Sequence, residues 1–297
     1  MPVRFIFLGL LLLAPTSAAP QGSIGEVNKP AQTSSFGVAP GIDAGFRLLY
    51  QLKFQEAREQ FAAWKDLYRD DPLGDVSMAA AYLFEEFYTQ GVLTSEFFLN
   101  DKRLLGGIEG KPDPKRKASF NEANEHARQL AKSRLKINPR DADALFALTV
   151  AAGMHADYSS ILEKHQLEGL RFIKESDNLA KQLIAIRPDS ADAYLALGAA
   201  NYIIGCLPSG KRFVLWFGGI HGDKKIGMQQ LRMAAEKGHY LRPYAKIMLA
   251  LAALREKNES EARTLLTELV AEFPQNHLFV SELAKVSRRA ASGTSSQ

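Results

Sequence analysis

Apolar residues recur along this chain at spacings of three and four, the pattern of helix faces that need a partner surface. A first pair of helices is predicted over Ile42 to Leu52 and Phe54 to Arg69. Phe54, Ala57, Phe61 and Trp64 make one stripe of that pair, and Gly45 marks a place where two helices can approach closely. Pro72 opens a third helix, through Met78, Ala79, Tyr82, Phe84 and Phe87 to about Gln90. The pattern breaks over 91–114, where Gly106, Gly107, Gly110, Pro112 and Pro114 punctuate the chain around a short helix. Regular spacing resumes from Lys115 to Ile137 and stops at Asn138-Pro139, because the ring disfavours helical geometry in the residue before it. Asp141-Ala142-Asp143-Ala144 reads as a capped start for a helix to about Tyr158. A long partner follows, from about Ser160 to Ile186.

The remaining elements are a helix over Ala191 to Ile204, a second break over 205–222, and a helix over Asp223 to Lys237 that ends at Gly238. Leu241 to Lys257 then pairs with Glu259 to Glu272, turning at Lys257-Asn258. Gln275 to Arg289 is a lone amphipathic helix that suits the end of a stack. Alternating Val, Ile and Thr are scarce, so the expected class is all-α. The segment Arg187-Pro188-Asp189-Ser190-Ala191-Asp192-Ala193 echoes Asn138-Pro139-Arg140-Asp141-Ala142-Asp143-Ala144, an internal sign of duplication.

At these residues the sequence resembles the tetratricopeptide repeat (TPR) superfamily. Leu249, Ala250, Ala253, Ala262, Leu266, Leu269 and Pro274 match nearly a whole unit of its pattern. Tyr194, Leu197 and Gly198 match the opening of another, and Gly45, Ala57, Phe61 and Trp64 match less fully. Thr149 stands where a small Gly belongs. The helix-ending prolines at 72, 139, 188 and 274 never fall at the roughly 34-residue period of a regular array, so inserts and lengthened helices interrupt the stack. The resemblance implies a TPR-like right-handed helical-hairpin solenoid over 42–290, with inserts at about 91–114 and 205–222. It also implies a scaffold that binds a protein or peptide partner and has no catalysis of its own.

Composition narrows this picture. Arg4, the apolar run Phe5 to Ala14, Pro15 and the small residues Thr16 to Ala19 read as a signal peptide over 1–18. That predicts an exported protein, periplasmic or secreted. Residues 19–41 are rich in Gly, Ser, Pro, Gln and Thr and read as a flexible leader, and 291–297 as a disordered tail. Cys206 is the single cysteine, so no internal disulfide can hold the fold in an oxidising compartment. The 37 basic and 33 acidic residues are interspersed, the mark of solvated helix faces rather than of a nucleic-acid stripe. Basic residues cluster only over Lys111 to Lys117, expected as a loop.

Candidate chemistry is sparse. No Gly-x-Ser-x-Gly elbow, His-Glu-x-x-His or phosphate loop occurs. His155, Asp157 and His165, or His221 and Asp223, lack a zinc spacing, so no metal and no cofactor are assigned. The inward face of the first helices in each pair is predicted to carry Phe146, Val150, Met154, Leu195, Tyr202, Ile203, Ile247 and Leu251. These residues make either a packed core or an apolar groove for a partner segment or a lipid-like ligand. The run from Gly205 to Gly222 combines aromatics with Lys211-Arg212. Phe213, Trp216 and Phe217 are its candidate contacts with a membrane surface or partner, unless the run folds inward as a plug. Protein scaffold is therefore the first expectation, and an envelope-associated carrier of lipid or another apolar ligand is the alternative.

Overall fold

The computed structural model describes residues 39–207, 209–210, 212–213 and 221–294, without the side chains of 290–294. All of these lie in the second of two compact units, Ser34–Gln297. The predicted signal peptide, most of the predicted leader, and Trp216 and Phe217 lie outside the described residues. Among those residues every regular element is helical, as the spacing predicts. In chain order these are α1 (Pro40–Tyr50), α2 (Phe54–Leu67), α3 (Pro72–Thr89), α4 (Ser95–Leu99), α5 (Asp101–Gly106), α6 (Pro114–Ile137) and α7 (Ala142–Asp157). After them come α8 (Gln166–Ile186), α9 (Ala193–Cys206), α10 (Lys224–Lys237), α11 (Arg242–Arg255), α12 (Glu259–Glu272) and α13 (His277–Thr294).

The helices pair as antiparallel hairpins: α1 with α2, α3 with α6, α7 with α8, α9 with α10, and α11 with α12. Each second helix also packs on the first helix of the next pair, and α13 ends the series on α12. This is the TPR-like hairpin stack that the sequence implies, with α4 and α5 as the first insert. Small residues set the close approaches. A Cβ on Gly45 would lie 2.2 Å from the Phe61 ring, and one on Gly198 would lie 2.8 Å from the Leu231 backbone nitrogen. Those glycines therefore let α1 meet α2, and α9 meet α10, nearly backbone to side chain.

Two turn types repeat and explain the register. Within hairpins, Lys53 N–H bonds Leu48 O, Val92 N–H bonds Phe87 O, and Asn258 N–H bonds Ala253 O, all at 2.8–3.0 Å. Each of these closes a helix end through a residue in the left-handed region, Leu52, Gly91 or Lys257. Between hairpins, Asp71, Asp141, Ser190 and Asn276 all turn back onto the residue three before them. Asp71, Asp141 and Asn276 then cap the following helix with a side-chain oxygen.

Three expectations change. Pro72 opens α3, as the spacing predicts, so it does not belong with the helix-ending Pro139, Pro188 and Pro274. The partner of α7 starts at Gln166, because Tyr158–Leu162 winds as a π-helical turn and Lys164 takes a positive φ. Gly238 is extended (φ −64°), so it is not a left-handed stop. It is small because a Cβ there would meet Asp192 Oδ1 at 2.5 Å. In addition, α1 starts at Pro40, inside the predicted leader, and α13 runs on to Thr294.

That aspartate shows how the two echoed segments diverged. Asp141 caps its own helix, whereas Asp192 leaves its helix uncapped. Its carboxylate instead accepts from the N–H groups of His239, Tyr240 and Leu241 at 2.7, 3.0 and 3.2 Å. The clamped loop is where distant helices meet. Tyr240 stacks on Phe46 of α1 (5.3 Å between centroids) and its carbonyl accepts from the Tyr50 hydroxyl at 3.0 Å. His239 pairs with Asp43 at 2.6 Å. Asn276, besides capping α13, donates to Tyr50 O at 2.8 Å. The first hairpin thus docks on the last two.

Removing the Asp192 carboxylate would strand one buried and two part-buried N–H groups. We expect Asp192→Ala to lose about 3–5 kcal/mol of unfolding free energy in urea denaturation. Asp192→Asn should lose less, since one oxygen still serves His239 and Leu241. Wild-type stability in the alanine variant would show that the clamp does not hold the loop.

Candidate functional site: an apolar chamber

Residues on the inward faces of α1, α3, α7, α9 and α11 line three adjoining apolar compartments. The largest compartment measures about 640 Å³, and two smaller ones about 130 and 60 Å³. All three share Tyr244 and Met248 of α11 as lining. The first insert contributes to the wall: Phe98, Asp101, Leu104 and Leu105 line the large compartment. It is held there by Arg255, which donates to Phe98 O and Asp101 Oδ1, each at 2.6 Å. Glu96 of α4 is tied to Lys285 of α13 at 2.9 Å.

All eight residues predicted for the inward face line this space. Phe146, Val150, Met154, Leu195 and Ile203 surround the middle compartment. Tyr202, Ile203 and Leu251 face the large one, and Ile247 and Leu251 the third. Phe146, Met154, Leu195 and Tyr202 are also buried and pack into the hydrophobic clusters, so groove and core are one surface here. Phe213 is 61% exposed. Cys206 is half-buried and lines the large compartment.

The sequence pattern missed Asp157, Tyr244 and the wall made by α4 and α5. Asp157 is the last residue of α7, at the point where the π-helical turn begins. Asp157 is half-buried and lines both the large and the middle compartment. No side chain or backbone group bonds it, and burial alone pushes its pKa up to about 7. Tyr244 is half-buried too, and burial first and the Asp157 charge second hold its hydroxyl well above the usual range. Its ring meets Phe84 edge-on at 5.2 Å, and Phe84 meets Tyr50 at 6.4 Å. A lone acid beside an aromatic cluster is the one chemically distinctive spot on an otherwise apolar wall.

The other candidate groups are structural. His155 stacks on Phe172 at 4.1 Å, and burial lowers its pKa. His165 is exposed beside Glu168 at 3.5 Å, and Asp223 caps α10. Among the described residues no three His, Cys, Asp or Glu groups converge as metal ligands. The basic cluster expected in a loop instead continues into α6. There Arg116 pairs with Glu85 at 3.5 Å and with the buried Glu86, and Lys117 pairs with Glu163. Among the described residues no helix is long and apolar enough to cross a membrane.

No protein-family model matches this chain, and no curated relative matches it. Among solved structures it is similar to a thermophilic TPR protein of Thermus thermophilus, TTC0263, with a TM-score of 0.44 and 13% identity. That likeness covers 83% of this chain and 96% of the other.

Asp157 leaves a pH signature. The folded protein keeps its proton up to about pH 7, whereas an unperturbed aspartate loses it near 3.8. Between those values the folded state binds the extra proton, so this group's contribution to stability falls as pH rises and then levels off. Asp157→Asn removes that penalty. The variant should match the wild type near pH 4 and exceed it near pH 8 by on the order of 2–4 kcal/mol in denaturant unfolding. A difference that does not change with pH would mean that the carboxyl is solvated.

Proposed function

We propose that this protein is a non-catalytic helical-repeat carrier that holds a small, elongated apolar ligand in its interior chamber. The observation that carries the reading is the apolar lining of the inward face. The residues that such a stack ordinarily offers to a partner segment line adjoining compartments here. A chamber of about 640 Å³ is in the size range of small-molecule sites, roughly 300–1,000 Å³, which are mostly apolar with few polar groups. The docked first hairpin keeps the space preorganised, so a ligand need not order the walls on entry. The signal-peptide pattern of residues 1–18 supports an exported location, periplasmic or secreted.

Binding of a protein partner, the first expectation from the sequence, is the second reading, moved to the outside of the stack. Hairpin stacks bind proteins in general. Here Leu67 and Ile137, the last residues of α2 and α6, are 75% and 88% exposed. They occupy corresponding positions in successive hairpins and offer apolar contact at a repeated place.

The carrier reading is tested with an environment-sensitive apolar fluorophore titrated into the purified protein. Saturable binding at one site per chain is expected in the wild type. Ile203→Trp fills space between the large and middle compartments and should weaken binding about tenfold or more. Leu67→Glu with Ile137→Glu should leave it unchanged. Absence of saturable binding in the wild type, or equal binding by the filled variant, would sink the reading.

A further inference from the structure

The acids among the described chamber-lining residues are treated unequally. Asp101 is paired with Arg255 at 2.6 Å, Asp192 accepts three backbone N–H groups, and Glu282 is paired with Lys285 at 2.9 Å. Asp157, half-buried where the large and middle compartments adjoin, has no such partner. The basic residue among the described lining is Arg255, and its guanidinium is already engaged by Asp101 and by Phe98 O. A half-buried acid with no protein donor keeps hydrogen-bond capacity turned toward the compartments, where a ligand can meet it.

The surroundings specify the kind of donor. The rings of Tyr50, Phe84 and Tyr244 line the middle compartment together with Asp157. Aromatic rings attract cations electrostatically and do so more strongly when desolvated. A carboxylate and a ring cluster therefore favour the same partner, a positive charge, and both disfavour an anionic head group. Beyond them Ile173, Ile203 and Met248 continue an apolar wall between the middle and large compartments, fit for a hydrocarbon body.

We propose that the chamber selects apolar molecules bearing a cationic nitrogen, with the nitrogen seated beside Asp157 among the rings of Tyr50, Phe84 and Tyr244. The assignment rests on the carrier reading and adds the class of ligand. A protonated amine would supply the missing hydrogen bonds to the carboxylate, while its chain takes up apolar space that contributes affinity without selectivity.

The test compares three probes of equal chain length, dodecylamine, dodecanol and dodecanoate, by competition against the bound fluorophore at about pH 8. In the wild type the amine should bind about tenfold or more tighter than the alcohol, and the acid weakest of the three. In Asp157→Asn the amine and the alcohol should come within about twofold of one another, with affinity for the alcohol kept. Circular dichroism and thermal melting establish that the variant is folded. Equal binding of amine and alcohol by the wild type, or an unchanged preference in Asp157→Asn, would overturn the proposal while leaving the carrier reading standing. Failure of all three probes to displace the fluorophore would overturn the proposal. Failure of the fluorophore itself to bind would overturn the carrier reading and the proposal together.

Discussion

The loop between α10 and α11 is the constraint on which the rest of the structure depends. It carries three consecutive N–H groups that no helix satisfies, and the Asp192 carboxylate takes all three. A buried amide left unpaired is expensive, so the loop and α9 are fixed to one another. Once fixed, the loop presents Tyr240 to α1, where the ring stacks on Phe46 and the carbonyl receives the Tyr50 hydroxyl. A stack of hairpins is ordinarily held by nearest neighbours alone. Here residues nearly two hundred positions apart are joined by hydrogen bonds, so the first hairpin cannot leave without exposing the last two.

That docking changes what the concave side can do. In an open stack, residues such as Val150, Ile203 and Leu251 would face solvent and await a partner segment. Here they line adjoining compartments, with α4–α5, fastened to Arg255 and Lys285, as part of the wall. The same packing leaves Asp157 half-buried. Its raised pKa is thus a property of the tertiary arrangement, since nothing within α7 would perturb an aspartate at a helix end that far. The apolar lining and an unsatisfied acid arise from one cause, and together they favour a ligand that is mostly hydrocarbon and partly cationic.

Much of the helical framework was legible because local rules dominate it. The Pro139 and Pro188 boundaries, the Asp141 cap and the Lys257-Asn258 turn depend on residues within a few positions of one another. Gly45 and Gly198 could be read as contact points because only a missing side chain lets helices come so close. Reading failed where a residue acts at a distance. Gly238 fits a helix stop by its position, yet it is small to admit Asp192 from the far end of its own hairpin. Asp192 itself looked like half of a repeated cap, and its twin Asp143 gave no hint that this copy reaches across to α10–α11. The basic residues at 115–117 looked like part of a loop because Pro112 and Pro114 precede them, although Pro114 is well suited to a helix start.

The inward face followed from periodicity, since helical spacing alone separates the side of α7, α9 and α11 that turns from solvent. The sequence by itself therefore determined the helices, their pairing and which of their faces are apolar, because those depend on interactions within a turn or between adjacent segments. Which distant segments those faces meet was decided only by the tertiary structure. That choice rests on contacts of Tyr50 and Phe46 with Tyr240 and Asn276, and no local pattern encodes which distant loop a helix end will meet. The same holds for Asp157, whose chemistry comes from the water that the surrounding helices exclude.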